Sequence, residues 1–160
     1  MTDSVSKGST THHLGAVEGR ELAVAYLSRR EYSVEELKLR LQRRGVETYI
    51  ADEVVRRLAG DDLVSDQRFT QMYVRTRVRR LFGPLKIWGE LRSRGIADAV
   101  IGENMPAEET WVDSASQWVG KRSQGKLDYK ERAKLYRSLI NRGFSHEQAN
   151  VALDRLNSRD

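Results

Sequence analysis

Apolar residues recur at helical spacing along most of this chain, and an Arg-Gly-apolar triplet interrupts them three times, as Arg44-Gly45-Val46, Arg94-Gly95-Ile96 and Arg142-Gly143-Phe144. In every copy the residues four and eight positions before glycine are apolar: Leu41 and Leu37, Leu91 and Ile87, Leu139 and Leu135. Such a triplet is a helix stop. Glycine takes the left-handed backbone just past the last turn, arginine suits the negative end of the helix dipole, and the apolar residue folds back on the helix. Starts are marked as well. Ser33 to Glu36, Asp128 to Glu131 and Ser145 to Gln148 have the form of capping boxes, and Gly83-Pro84 puts proline at a first helical position.

Together these signals predict about nine helices and an all-α fold, with helices near 20–31, 34–44, 48–58, 66–81, 84–94, 97–104, 108–121, 128–142 and 146–157. They group into three-helix modules over 20–60, 65–105 and 108–157. One trio is too small to bury a convincing core, so neighbours must share apolar surface, and the expected form is an elongated, curved short solenoid. In the fourth helix Val74, Val78 and Leu81 make one stripe and Phe69, Met72 and Tyr73 another, which predicts two partners, its own module and the preceding one. Trp88, Trp111 and Trp118 lie beside helical apolar positions and are expected to pack rather than to stack on bases. Residues 1–18, rich in Ser, Thr and Gly, form an expected loose tail in which His12 and His13 are incidental.

Composition narrows the function classes. With 32% charged residues and two prolines, the chain suits helices with solvated faces. The absence of cysteine excludes disulfides and thiolate zinc sites. No metal site or cofactor is expected, since His146 is the single histidine beyond the tail and no glycine-rich phosphate loop occurs. Catalysis is not expected either, because no carboxylate pair stands out. No apolar run approaches the roughly 20 residues that span a bilayer, and the start lacks the apolar core of a signal peptide, so a cytoplasmic protein is expected. Nothing resembles a heptad seam, which favours a monomer.

The net charge of +5 is unevenly placed. Between Arg75 and Arg94 seven bases (Arg75, Arg77, Arg79, Arg80, Lys86, Arg92, Arg94) face one acid, Glu90, an excess larger than that of the whole chain. Concentrated charge of one sign is the footprint expected for a polyanion or an acidic protein groove. At 100° per residue Arg75 and Arg79 share one edge of the fourth helix and Arg77 and Arg80 another, a basic surface opposite Val74, Val78 and Leu81 that Lys86, Arg92 and Arg94 extend.

The stretch from Leu63 to Arg77, continuing through Phe82-Gly-Pro-Leu-Lys-Ile87 and Glu90 to Ile96, resembles the signature of the RecX family. It includes Asp66, Arg68 and Phe69 in the "D-x-R-F" opening, Arg75 and Arg77 in "R-x-R", the Gly83-Pro84 helix start, and "E-L-x-x-x-G-I" from Glu90 to Ile96. Similarity extends over residues 20–156, with Arg30 to Leu37 resembling the first module and Gly143-Phe144 the last. The third module is the least similar. The resemblance implies tandem three-helix repeats and a partner: RecX-like proteins bind the recombinase RecA in the groove of its filament on DNA and limit filament growth, ATP hydrolysis, strand exchange and coprotease activity. It thereby implies a role in DNA repair, homologous recombination and the SOS response, with single- and double-stranded DNA contacted electrostatically. The seven cations from Arg75 to Arg94 are the expected RecA/DNA surface. The alternative is a helical transcription regulator that reads duplex DNA without RecA, in which Gln67 and Gln71 would have to reach base edges.

Overall fold

The computed structural model describes residues 13–158, and among them the chain forms nine α-helices and no extended sheet. They are α1 (Ala16–Leu27), α2 (Val34–Arg43), α3 (Thr48–Gly60), α4 (Asp66–Arg79), α5 (Pro84–Ser93), α6 (Asp98–Asn104), α7 (Glu108–Gly120), α8 (Tyr129–Asn141) and α9 (His146–Asn157). Two compact units result, one ending at Val64 and holding α1–α3, the other beginning at Ser65 and holding α4–α9.

The three helix stops share one geometry. Gly45, Gly95 and Gly143 have φ of 95°, 77° and 95°. The amides of Val46, Ile96 and Phe144 donate to the carbonyls of Leu41, Leu91 and Leu139, while those of the three glycines donate to Gln42, Arg92 and Ile140. This pair of bonds satisfies carbonyls that a helix end leaves open and tucks the residue after glycine into the core. Val46, Ile96 and Phe144 are accordingly buried. The predicted caps form too: Ser33 with Glu36, Asp128 with Glu131 and Ser145 with Gln148 make reciprocal capping boxes, and Pro84 is the first residue of α5.

In the first unit Ala23, Leu37, Leu41, Val55 and Leu58 centre the core. Helix α1 begins at Ala16, four residues ahead of its predicted start at 20. The loose tail expected over 1–18 lies largely outside the described residues, His12 included. Its described end is held by contacts distant in sequence: the Leu14 amide donates to the Gly45 carbonyl, and Gly19 lies against Val46 and Val54. His13 sits 3.7 Å from Glu47.

The second unit has two apolar clusters that exchange residues. Phe69, Val74, Ile87, Leu91, Ile96 and Ile101 form one, joined by Trp111 from α7. Leu139, Phe144, Ala149 and Leu153 anchor the other, joined by Leu81 from the end of α4. The expected stripe of Val74, Val78 and Leu81 therefore breaks: α4 stops at Arg79, Leu81 turns into the left-handed region at φ 61°, and its side chain enters the core of the following trio. Met72, Tyr73 and Val78 pack with Phe69 and Val74 in one cluster. Trp111 and Trp118 are core residues and Trp88 is partly buried, as expected of packing tryptophans.

What locks the two trios of this unit is a meeting of helix ends. The Gly83 amide donates to the Arg142 carbonyl (2.8 Å) and the Leu85 amide to the Gly143 carbonyl (2.9 Å), on either side of Pro84, which has no N–H. Open donors at the start of α5 thus meet open acceptors at the end of α8, and the two dipoles meet head to tail. No side chain fits between them: a Cβ on Gly83 would lie 2.2 Å from the Gly143 carbonyl carbon, and one on Gly143 would lie 2.4 Å from the Lys86 Cβ. Gly125, with φ 89° and open space around it, provides a control for backbone conformation alone. Gly125→Ala should cost about 1 kcal/mol, the left-handed penalty. Gly143→Ala should cost about 3 kcal/mol or more in denaturant unfolding, because it must also open the joint; equal losses for the two would contradict the clasp.

Candidate functional site

All seven cations predicted to form the functional surface lie in the second unit, but they do not form one array. Arg77 turns inward. Its guanidinium grips Glu90 through Nε (2.8 Å) and Nη2 (2.6 Å), and the Tyr73 hydroxyl donates to the same carboxylate. Both charged side chains are about four-fifths buried, at 21% and 19% exposure. Burial pushes the Glu90 carboxyl up, yet the hydrogen bonds from Tyr73 and Arg77 outweigh it and hold the group below its ordinary value. Burial and the bond to Glu90 raise the Tyr73 phenol.

Arg92 is engaged with Asp98 through Nε and Nη2, at 2.7 and 2.8 Å. That contact, joined by the Trp88 indole N–H, holds Asp98 at about 2. Arg94 donates to the Glu90 carbonyl and lies 4.8 Å from the Tyr73 ring centre. Arg77, Arg92 and Arg94 thus brace α4, α5 and α6. Arg75, Arg79, Arg80 and Lys86 are exposed and make no ion pair among the described residues. The predicted edge shared by Arg77 and Arg80 does not exist as a surface, because Arg77 is drawn to Glu90 and Arg80 lies past the last helical residue.

The sequence reading missed how far positive charge continues into the third trio. Arg142 donates from Nε to the Leu81 carbonyl (2.9 Å) and from Nη2 to that of Arg80 (2.6 Å), closing the end of α4 with a positive charge. Arg142 and Arg77 both lie 4.3 Å from the Phe82 ring centre, with Lys86 at 5.2 Å. Beyond Arg142 the series continues to Trp118, whose ring has Arg122 3.9 Å away. Burial, then the charges of Arg122 and Arg77, lower the Arg142 guanidinium, which remains a cation because arginine does not deprotonate in proteins. A signal was present: residues 121–142 carry eight bases against two acids. It was masked in the overall sum by residues 95–120, which hold five acids and no base.

Three successive helical trios with one shared stop motif, an unneutralised basic face and, among the described residues, no cluster placed to bind a metal define a tandem three-helix-repeat protein. The chain belongs to the RecX family: the family's first, second and third three-helix domains match residues 20–58, 65–104 and 115–153. Similar proteins include the regulatory protein RecX of Chromohalobacter salexigens, 39% identical over 84% of this chain and 90% of that protein. That of Halorhodospira halophila is 37% identical, over 83% and 84%. The crystal structure of RecX from Lactobacillus salivarius superposes with a TM-score of 0.77 at 22% identity, covering 88% of this chain and 96% of that one. Among the described residues no helix is long and apolar enough to cross a membrane.

The Glu90 cluster has a pH signature. A carboxyl lowered in the folded state adds stability that is full above its ordinary value of 4.5 and is lost as the pH falls through the lowered value. Glu90→Gln should destabilise the protein by about 2 kcal/mol at pH 7, leaving the largely buried Arg77 without its counter-charge. It should also flatten the acid limb of a melting-temperature profile below pH 4.5. An acid limb unchanged from the parent protein would show that the cluster does not govern it.

Proposed function

We propose that the protein regulates RecA, binding the recombinase filament on DNA in the cytoplasm and restraining filament growth, ATP hydrolysis, strand exchange and coprotease activity. Membership of the RecX family across all three helical domains carries this reading. The curated relatives are named regulatory proteins, in keeping with a binding role and not a catalytic one. The partner surface that fits is the exposed part of the predicted set, Arg75, Arg79, Arg80 and Lys86, which presents cations to acidic protein or to phosphates in the filament groove. Arg77, Arg92 and Arg94 are engaged within their own module, with Glu90, Asp98 and the Glu90 carbonyl. A base-reading role for α4 is less well supported, because the Gln67 amide exchanges hydrogen bonds with the side chain of Asn104.

The test is to add the protein to RecA on single-stranded DNA and follow ATP hydrolysis together with filament length; both should fall. Arg75→Gln combined with Arg79→Gln should require roughly tenfold more protein for the same inhibition, equivalent to about 1.4 kcal/mol. RecA that hydrolyses ATP and extends filaments unaffected by the parent protein would contradict the proposed function. Full potency of the double variant would remove α4 from the interface.

A further inference from the structure

We infer that the third trio carries a second contact for nucleic-acid phosphate, separate from the α4 face, at a cavity between the end of α7 and the flank of α8. It extends the reading above, in which the protein acts on a DNA-bound filament, but concerns DNA alone. The cavity, about 440 Å³, is lined by Trp118, Arg122, Ser123, Glu131, Lys134 and Ser138, with Leu135 beside them. Two cations, two hydroxyls and one indole thus border a single space.

Two observations favour an oxyanion there. Arg122 is tied to its own helix only by a 3.3 Å bond to the Trp118 carbonyl and by the indole ring, and neither neutralises it. The carboxylate in the lining, Glu131, accepts the Asp128 amide within the capping box, which directs it to the start of α8.

The surroundings indicate a repeating polyanion over a single acidic side chain. Lys121, Arg122, Lys126, Lys130, Lys134 and Arg137 make no ion pair among the described residues, whereas three of the seven cations from Arg75 to Arg94 are engaged within their own module. Arg132 is the exception on α8, paired with Asp154 at 2.9 Å. Six unneutralised cations along one connection and one helix match the spaced charges of a phosphodiester backbone, and such contacts release counterions and depend steeply on salt. The partner assigned is the backbone of single-stranded DNA.

The test uses the full-length protein, a fluorescent oligothymidine and no RecA, so failure of this contact and failure of RecA regulation are separate results. Anisotropy titrations across a salt series should give a linear dependence of log affinity on log salt. Arg122→Gln combined with Lys134→Gln should reduce that slope by about 1.4, two phosphates at roughly 0.7 each, and weaken binding roughly tenfold at 0.1 M salt. A circular dichroism melt checks that the variant folds. Should it not fold, Lys126→Gln with Lys130→Gln, both exposed, should lower the slope in the same direction. Inorganic phosphate should displace the oligonucleotide no better than chloride at equal ionic strength. Unchanged slopes in both variants overturn the inference. Displacement by low-millimolar phosphate overturns it in favour of a free-anion site, and equal loss of polyglutamate binding overturns it in favour of an acidic protein.

Discussion

The end of α8 butting against the start of α5 is the contact on which the second unit depends. Each helix end alone would leave polar backbone groups to water; here the Arg142 and Gly143 carbonyls accept the Gly83 and Leu85 amides, and two dipoles cancel where they meet. Two consequences follow from the closeness of that approach. Glycine is required on both sides, and Leu81 and Trp111 can cross into each other's neighbouring core. A Leu in the left-handed region is unfavourable by roughly 1–2 kcal/mol, which burial of its side chain and the bond from Arg142 to its carbonyl offset.

The same joint explains why positive charge persists there. Arg142 takes two carbonyls as partners instead of a carboxylate, and its ring neighbours Phe82 and Trp118 are also approached by Arg77 and Arg122. Aromatic faces and helix carbonyls accommodate guanidinium groups without cancelling their charge. Stability and surface potential therefore come from one set of residues. Only Arg77, which meets Glu90, is neutralised by a side chain within this chain of rings and cations.

Features set by a few adjacent residues were legible in the sequence. The capping boxes span four residues and the glycine stops ten, and all appear where expected. The start of α1 was not legible, because Leu14 and Gly19 are ordered by Gly45, Val46 and Val54. Nor was the fate of Leu81, since a periodic pattern assumes that the helix continues. For the site, counting charge located α4 and α5 but could not separate a cation facing solvent from one bound to a carboxylate on the next helix. Arg77 meets Glu90 thirteen residues away, and Arg92 meets Asp98, just beyond the counted segment. The basic stretch of the third trio was hidden by the acidic stretch before it, although each is plain when counted alone.

If α4–α9 act as one body clasped at the glycines, the Gly83 and Leu85 amides should be among the slowest to exchange with solvent. Native-state hydrogen exchange measures this directly. Protection of both amides matching that of Ile87 and Leu91, and lost only with global unfolding, is the predicted result. Rapid exchange at Gly83 and Leu85 while the helix cores stay protected would mean that the joint opens on its own, contradicting the account.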